Sequence, residues 1–410
     1  MKIFPIWYII IYIIFGGGSR PQKEQKMEDN VKPAVAVVKC ERYSDCFDYV
    51  KKTVDMLGGI GKFVRAGDRV VIKPNLVSRK NPDEAATTHP AVVKAVCELV
   101  KAAGGEAVIA ESPGGAYNAA VLRSVYSGCG MDKAAEEGGA KLNYDTSFSE
   151  TPIPDGKTVK SLAVIEPILK ADVVISVAKL KTHAMTSYTG AVKNLFGAVP
   201  GTHKAELHFR LNEREAFCSM LLDLCGFIKP SLSIIDGVWG MEGNGPTAGK
   251  NRHMGLIMAS ENPYALDLTA SRVIGYTPEE VPTVRQSLER GLTVREPEIL
   301  GGSIDSFIVP DVEKPESHFN LLKILPLPSA LNAAVTNMFS ARPEIDKSVC
   351  VGCGECMRCC PPRAIKMKNK RPEIDKGRCI KCFCCQELCP KRAVKIKRPL
   401  ANRLMLKILK

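Results

Sequence analysis

The sequence predicts an α/β protein in which a large domain with a largely parallel sheet precedes a small cysteine-rich domain. Apolar runs of strand length alternate with helix-like segments through most of the 410 residues, which is the pattern of a parallel sheet covered by helices. Ten of the sixteen cysteines lie between Cys350 and Cys389. Residues 341–410 carry 19 Lys and Arg against 6 Asp and Glu, which is the whole formal net charge of +13. These differences indicate two bodies with different partners.

Strands of the large domain are predicted from short apolar runs. The first covers residues 33–39, and the next are residues 69–72, 106–110, 171–178 and 232–235. A helix is predicted over residues 90–103, because apolar residues recur there at helical spacing and two glycines follow. This order of strand, helix and strand favours parallel neighbours in the sheet.

Charged or hydrogen-bonding side chains follow four of these strands directly. In chain order they are Lys73 and Asn75, then Glu111, then Lys179 and Lys181, and then Asp236. Ligands of open α/β sheets bind outside the carboxyl ends of the strands. The sequence therefore predicts that these side chains meet in one crevice.

The densest polar stretch is residues 179–208, which contain four lysines, three histidines and one carboxylate, Glu206. Such an excess of cations favours an anionic ligand, either a phosphate or a carboxylate. We expect catalytic roles for Lys181, His183 and Lys193, and ligand binding by Lys73, Asn75, Glu111, Lys179, Asn194 and Asp236. Taken singly, a lysine or histidine in this stretch is more often a structural or solvated side chain, whereas the cluster that follows a buried strand favours function.

The cysteine-rich domain is built from an internal repeat. EIDKSVCVGCGECMRCCP from Glu344 aligns with EIDKGRCIKCFCCQELCP from Glu373, an offset of 29 residues. Each copy reads C-x2-C-x2-C-x3-C-P, a run in which the cysteine before proline ligates the cluster of the other copy. The predicted ligands of one 4Fe-4S cluster are Cys350, Cys353, Cys356 and Cys389, and those of the second are Cys379, Cys382, Cys385 and Cys360.

Two further cysteines, Cys359 and Cys384, lie within the repeat. They align with Leu388 and Glu355, neither of which is a thiolate, so we expect neither cysteine to be a ligand. The alternative for the whole domain is a pair of structural zinc sites. Structural zinc usually uses two separated pairs of cysteines rather than four cysteines in one run before proline, so the spacing favours iron–sulfur clusters.

The two ends of the chain bear on location and partners. Residues 3–15 form an apolar run too short to span a bilayer comfortably, and no twin arginine precedes it. We therefore expect a cytoplasmic protein whose functional chain begins near Met27, and the alternative is membrane association through residues 1–20. Residues 391–410 carry eight basic residues and no acidic one, which suits an acidic redox partner, an anionic membrane surface or a solvated flank. Nucleic acid is not expected, because this tail has no aromatic residue for base stacking.

Two known families resemble parts of the chain. The cysteine runs are similar to a two-cluster bacterial ferredoxin from about residue 342 to 397, which implies a small α+β fold that transfers single electrons. KPN at Lys73, THP at Thr88, and KLKTH followed by TGAVKNLFGAVPG resemble the family called domain of unknown function 362, from about residue 33 to 274. That resemblance implies an architecture and a candidate site, without a substrate. A fainter resemblance to nickel-pincer lactate racemases departs at their glycine-rich SGG element, which is YTG here.

The expected domain organisation follows from the repeat, the composition and these resemblances. It comprises an apolar extension at residues 1–30, the α/β domain at 31–320, an apolar linker at 321–341, the ferredoxin-like domain at 342–398 and a basic tail at 399–410.

Three functions are compatible with this organisation. The first is an iron–sulfur oxidoreductase whose clusters exchange electrons with a ligand in the α/β crevice. The second is an electron carrier whose α/β domain only docks or senses a ligand, and the third is a redox-neutral acid–base enzyme with regulatory clusters. The sequence has no flavin or nicotinamide fingerprint, which weakens the first function, because one-electron clusters usually need a partner for two-electron chemistry.

The repeat predicts two clusters, which anaerobic protein should show as about eight irons per chain. Cys359→Ser and Cys384→Ser should keep both clusters, whereas Cys360→Ser should damage the second, because the thiolate before proline serves the other copy. Iron and sulfide analysis with electron paramagnetic resonance of the reduced protein checks this. About four irons per chain, or bound zinc, would contradict it.

Overall fold

The structure, a computed structural model, describes residues 32–315 and 341–397. The predicted apolar extension, the basic tail and, apart from residue 341, the linker lie outside the described residues. The described residues from Pro33 onward belong to one compact unit. The α/β domain and the cysteine-rich module (residues 342–397) are therefore described together.

A nine-stranded sheet, counted over the described residues, forms the centre of the α/β domain in the order β11-β1-β10-β9-β7-β2-β3-β4, with β8 paired to β7. Five strand pairs are parallel, β1–β11, β2–β3, β2–β7, β3–β4 and β7–β9, which confirms the prediction of a largely parallel α/β sheet. The strands β5 and β6 form a separate hairpin. The strand bounds are β1 (Ala34–Lys39), β2 (Arg69–Pro74), β3 (Glu106–Ile109), β4 (Lys141–Leu142), β5 (Phe148–Pro152), β6 (Ser161–Ile165), β7 (Val173–His183), β8 (Ser187–Thr189), β9 (Leu232–Glu242), β10 (Lys250–Ser260) and β11 (Glu298–Leu300).

Helices cover both faces of this sheet. Their bounds are α1 (Cys46–Met56), α2 (Pro90–Ala102), α3 (Ala119–Gly128), α4 (Met131–Gly138), α5 (Glu166–Leu169), α6 (Ala191–Asn194), α7 (Gly201–Arg210), α8 (Arg214–Ile228), α9 (Pro263–Val273) and α10 (Pro282–Glu289). Within residues 32–315 and 341–397 we find no helix with the length and apolar character needed to cross a bilayer.

Successive side chains along each strand point to opposite faces of the sheet, so the core is divided between the two faces. On β2, Val70 and Ile72 join the core under α1 to α4, whereas Val71 joins the core under α8. Helix α9 covers a third group of buried apolar residues, which includes Val35 and Val37 of β1. The domain is thus a sheet buried between two helical layers, and its polar side chains are left at the ends of the strands.

Strand β7 is longer than its apolar run, because it ends at His183 rather than at residue 178. Its last residues pair with both β8 and β9, so the backbone stays hydrogen-bonded although the side chains become polar. Lys179, Lys181 and His183 therefore lie on the strand rather than after it, at alternate positions that share one face. All three are buried.

The cysteine-rich module folds as two short antiparallel strand pairs and two one-turn helices. Strands β12 (Arg342–Ile345) and β15 (Val394–Lys397) pair antiparallel, as do β13 (Ile365–Lys368) and β14 (Arg371–Ile374). Helices α11 (Glu355–Arg358) and α12 (Cys384–Glu387) occupy equivalent positions of the two repeats. This is the small α+β fold expected from the resemblance to bacterial ferredoxins.

A buried ion pair fixes the strand ends on the β9 side of β7. Lys179 Nζ lies 2.9 Å from Asp236 Oδ2, and both side chains are 0% exposed. Tyr43 OH accepts a hydrogen bond from Lys179 at 2.7 Å and donates one to Asp236 Oδ1 at 3.0 Å. The backbone N–H of His89, which precedes α2, donates to Asp236 Oδ2 at 2.9 Å. The pair thus joins two strands and a helix terminus.

Removal of one partner of this pair should destabilise the fold. Lys179→Met leaves the Asp236 carboxylate buried without its cation, and we expect a loss of about 3–5 kcal/mol in the free energy of unfolding. Lys170→Met removes an exposed lysine that is paired with Glu166, and should change stability by less than about 1 kcal/mol. Denaturant unfolding of anaerobic protein measures both. Equal stability of Lys179→Met and the wild type would contradict a structural role.

Candidate functional site

A cavity of about 600 Å³ lies where the ends of β2, β3 and β7 meet the cysteine-rich module. The α/β domain contributes five residues that the sequence predicted, namely Asn75, Glu111, Lys181, Lys193 and Asn194. It also contributes residues to which sequence reasoning assigned no individual role, among them Arg79 and Ser112, and Lys204 and His208 of the polar stretch 179–208. The module contributes Glu355, Arg358, Cys359, Cys384, Glu387 and Leu388. The crevice expected beyond the carboxyl ends of the strands is therefore present, and the module forms one of its walls.

The other predicted side chains do not line the cavity. Lys73 and His183 do not line the cavity themselves but contact carboxylates that do. Lys73 contacts Glu111, and His183 contacts Glu387. Lys179 and Asp236 pair with each other instead, next to Tyr43. The expected single crevice is thus divided between a cavity and a buried structural pair.

Lys73 and Glu111 form a buried ion pair under the cavity floor. Lys73 Nζ lies 2.6 Å from Glu111 Oε2, with side-chain exposures of 0% and 3%. Asn194 accepts from Lys73 Nζ at 3.2 Å and donates to the Lys73 carbonyl at 3.1 Å. A Cβ atom at Gly197 would lie 1.9 Å from Glu111 Oε1, so only glycine fits there. Burial lowers the Lys73 pKa, and the Glu111 charge opposes this shift.

Lys181 is a buried amine whose partners are neutral. Its Nζ donates to Asn75 Oδ1 at 2.6 Å and to the Ala86 carbonyl at 2.8 Å, and no ion pair joins it to a carboxylate within the described residues. Burial lowers the Lys181 pKa well below its usual value, and the positive charges of Lys193 and Lys179 add to the effect. Such an amine can bind an anion as the ammonium or accept a proton as the free base.

His183 connects the α/β domain to the module through Glu387. Its Nδ1 accepts the backbone N–H groups of Met185 and Thr186 at 3.0 and 3.2 Å, which assigns the ring proton to Nε2. Nε2 lies 3.1 Å from Glu387 Oε1. Burial, helped by the Lys193 charge, lowers the pKa of His183 to about 4. Burial works to raise the pKa of Glu387, but the His183 hydrogen bond and nearby cationic groups outweigh it and lower that pKa to about 2.

Lys193 lies on the cavity wall and is positioned by a buried carboxylate. Asp267 accepts the backbone N–H groups of Ala191 and Val192 at 2.6 and 3.0 Å, which anchors the short helix α6 that carries Lys193. Nζ of Lys193 lies 6.0 Å from the centroid of the Phe196 ring. In the described part of the chain it has neither a hydrogen bond nor an ion pair. Its charge nevertheless lowers the pKa of Lys181, after burial, and so acts across the cavity.

Sequence reasoning missed His208, which also lines the cavity. Its ring stacks on Phe217 with centroids 4.3 Å apart and meets Phe196 edge to face at 5.7 Å. Nδ1 is buried without a hydrogen-bond partner among the described residues. Burial lowers the His208 pKa to about 4. The signal was its place four residues after Lys204 on α7, which puts both on one helix face.

The cysteines of the module line two small cavities that match the two predicted ligand sets. Cys350, Cys353, Cys356 and Cys389 line one cavity. Cys360, Cys379, Cys382 and Cys385 line the other, together with Cys384. In the described residues no group of three or more His, Cys, Asp and Glu side chains is arranged to hold a single metal ion. Four thiols around each of two cavities fit 4Fe-4S clusters.

Hydrogen bonds at sulfur repeat between the two copies. The backbone N–H of Ala364 donates to Cys360 Sγ at 3.2 Å, and that of Ala393 donates to Cys389 Sγ at the same distance. Cys359 instead donates its thiol to the Cys356 carbonyl at 3.5 Å, as a protonated side chain that is no ligand would do. N–H groups directed at cysteine sulfur are one way in which a protein tunes cluster potential.

The module presents the same three positions of each repeat to the large cavity. Glu355, Arg358 and Cys359 of the first copy correspond to Cys384, Glu387 and Leu388 of the second, at the offset of 29 residues. The cluster ligands are identical between the copies, whereas these three positions all differ. This difference between the copies was visible in the sequence and could have identified the module's contribution to the cavity.

This geometry defines a 4Fe-4S iron–sulfur protein with an α/β domain, and the comparisons with known proteins agree. Residues 342–390 match the model of the 4Fe-4S dicluster domain. Residues 70–272 match the model described as "Domain of unknown function (DUF362)". The chain belongs to this family of unknown function and carries the 4Fe-4S dicluster domain behind it, as the two sequence resemblances implied.

One curated relative and two solved structures show how far the likeness extends. The thylakoid-associated protein sll1697 of Synechocystis sp. is 36% identical over 252 residues, which is 59% of this chain and 74% of that protein. The lactate racemase apoprotein of Thermoanaerobacterium thermosaccharolyticum aligns at 11% identity over 50% of each chain, with a TM-score of 0.31. A Thermotoga maritima protein aligns at 11% identity over 62% of this chain and 60% of its own, with a TM-score of 0.34.

The buried histidines predict a loss of stability in acid. The pKa of His208 is about 4 in the folded chain against an ordinary 6.5, so its contribution is complete above pH 6.5 and falls as the pH drops toward 4. At pH 5 the loss should be about 2 kcal/mol for this residue. The drop in unfolding free energy between pH 7.5 and 5 should therefore be smaller by about that amount in His208→Phe. Denaturant unfolding at both pH values checks this, and an unchanged drop would contradict it.

Proposed function

We propose that this protein is an oxidoreductase that uses two 4Fe-4S clusters to exchange electrons with an anionic ligand in the large cavity. The observation that carries the proposal is that one cavity is lined both by the strand ends of the α/β domain and by the module. When bound, the clusters would supply single-electron transfer.

The module places the cavity next to both proposed ligand sets. Cys359 precedes the ligand Cys360, and Leu388 precedes the ligand Cys389. These two ligands belong to different clusters in the predicted assignment. The cavity wall thus contains a residue next in sequence to a proposed ligand of each cluster, which favours exchange with the clusters over simple docking.

The chain's own residues would bind the ligand and handle protons. Lys193 offers an ammonium group without a competing carboxylate, and Lys181 offers a buried amine with a lowered pKa. Glu387, held by His183, keeps a negative charge on the opposite wall. An anion would be bound on the lysine side, and Lys181 is suited to accept or return a proton there.

Exposed residues of the module support an electron carrier as a second candidate. Cys353 is exposed, and the apolar side chains of Val351 and Met357 nearby are 62% and 38% exposed. Exposed apolar residues beside a cluster would suit transient docking of a redox partner, and the net positive charge of the module favours an acidic one. In this reading the ligand in the cavity only regulates docking.

Cytoplasmic location is likewise proposed, on the sequence signals of the amino-terminal segment. Membrane association through residues 1–20 is the alternative, and the name of the Synechocystis relative gives it support. Fractionation of cells that express the full chain or a chain starting at Met27 decides between them. The full chain alone in the membrane fraction would overturn cytoplasmic location.

The oxidoreductase proposal is tested with ligands that the protein itself retains. Small molecules released from anaerobically purified protein are identified by mass spectrometry and added back to dithionite-reduced protein, while cluster absorbance is followed. Anionic molecules among them should reoxidise the clusters. Lys193→Ala should weaken their binding about ten- to a hundredfold, because a charge-assisted hydrogen bond is lost.

The matched control is Lys133→Ala, which removes an exposed lysine of α4. Both variants should keep the melting temperature and iron content of the wild type. Reoxidation that is independent of every retained molecule would favour the carrier. Unfolding of Lys193→Ala would show that this side chain is structural.

A further inference from the structure

We infer that the ligand of the large cavity is an organic anion with an apolar body, and that His208 and Lys193 together bind its anionic group. This rests on the proposed function of the same cavity. It adds the chemical class of the ligand and a ligand-binding residue, His208, which neither the sequence motifs nor the family comparison provided.

The carboxylates on the cavity wall already have partners. Glu111 is paired with Lys73 at 2.6 Å, and Glu355 is paired with Arg358 at 2.7 Å. Glu387 lies 3.1 Å from His183 Nε2. Glu111 and Glu355 are thus paired with cations, whereas Glu387 keeps its charge beside a neutral imidazole on the module side of the cavity. On the α/β side of the wall the charge without a partner is positive.

Among the lysines of the wall, Lys193 is the one whose three donors are all unused in the described residues. Lys204 is saturated, since its Nζ donates to the Ser112 and Val199 carbonyls at 2.6 and 2.7 Å and to Ser112 Oγ at 3.2 Å. Lys181 donates to Asn75 and to a carbonyl oxygen. Arg79 also lines the wall and, among the described residues, donates only to Ser124 Oγ at 3.4 Å, but it is exposed; Lys193 is the more buried cation with free donors for an anion inside the cavity.

His208 supplies the second donor. Neither ring nitrogen has a hydrogen bond within the described residues, and Nδ1 is sealed from solvent while the residue lines the cavity. A buried lone pair without a partner is less costly than a buried N–H without one, so the proton resides on Nε2. Nε2–H is then the polar group that the ring can offer to the cavity. The ring centre and Lys193 Nζ both lie within 6.0 Å of the Phe196 ring.

The rest of the wall is largely apolar. Val77, Val121, Val125, Phe196 and Leu388 all line the cavity. Its volume of about 600 Å³ is in the range of sites for drug-sized molecules and far exceeds the needs of phosphate or acetate. A ligand that leaves this wall in contact with water would forgo most of the available hydrophobic stabilisation. An apolar body attached to the anionic group fits both parts of the wall.

Isothermal titration calorimetry of the anaerobic, cluster-loaded protein tests this with five probes. They are inorganic phosphate, acetate, phenyl phosphate, 3-phenylpropionate and the uncharged 3-phenylpropionamide. We expect the two apolar anions to bind at least about tenfold more tightly than phosphate and acetate, and the amide to bind weakly.

Three variants separate the two parts of the inference. His208→Phe keeps the ring stack on Phe217 but removes the donor, and should weaken the apolar anions about tenfold or more. Its matched control is His203→Phe, five residues earlier on the same helix at a position outside the cavity wall, which should bind as the wild type does. Val121→Ser should weaken the apolar anions and leave phosphate binding unchanged.

Each outcome supports or overturns the inference. Wild-type binding by His208→Phe, with iron content and melting temperature intact, overturns the role of His208. Equal binding of all four anions overturns the apolar body, and failure of every anion to bind the wild type overturns the anion site itself. Tight binding of an apolar anion, together with reoxidation that is independent of every retained molecule, supports the binding inference and removes the oxidoreductase proposal.

Discussion

The burial of three lysines at the ends of parallel strands is the constraint on which the rest of the structure depends. Lys73, Lys179 and Lys181 are each no more than 1% exposed. A buried ammonium group must regain by pairing and hydrogen bonding what it loses in hydration. Glu111 does this for Lys73, and Asp236 does it for Lys179. Lys181 has only neutral oxygen partners among the described residues. No carboxylate therefore compensates a positive charge on Lys181 at this end of β7.

The cysteine-rich module covers this strand end and forms one wall of the cavity. Gln386 Nε2 donates to the Asn244 carbonyl at 2.8 Å, and Thr247 Oγ1 donates to the Glu387 carbonyl at 2.9 Å. These contacts hold α12 against the loop between β9 and β10, and the His183–Glu387 contact lies beside them. The module is thus docked through its own one-turn helix, the same helix that carries Cys385. Cluster binding and cavity shape should therefore depend on each other.

The sequence predicts the strands of the sheet and the cysteine repeat well because each depends on local spacing, and the division of the cysteines into two ligand sets stays a prediction. Pairing between strands is not local, and here the prediction is incomplete. Lys179 and Lys181 look equivalent in KLKTH, but one faces Asp236 and the other faces Asn75, because β7 has a register shift against β9 between them. His208 was overlooked for a different reason. Its contacts with Phe196 and Phe217 are close in sequence, but it lies on a helix, and the predicted site was drawn from residues at strand ends.

The proposed arrangement also couples ligand binding to the clusters through charge. Glu387 places a negative charge between Cys385 and Cys389, which belong to different ligand sets, and a negative charge opposes the addition of an electron to either cluster. The positive charge of Lys193, on the other side of the cavity, instead favours the addition of an electron to the clusters. An anion bound at Lys193 would cancel that positive charge, and reduction of the clusters would then become less favourable. By reciprocity, reduction weakens the binding of the anion by the same factor. A molecule of this design would bind its anion more weakly in the reduced state than in the oxidised state, whichever reaction the cavity performs.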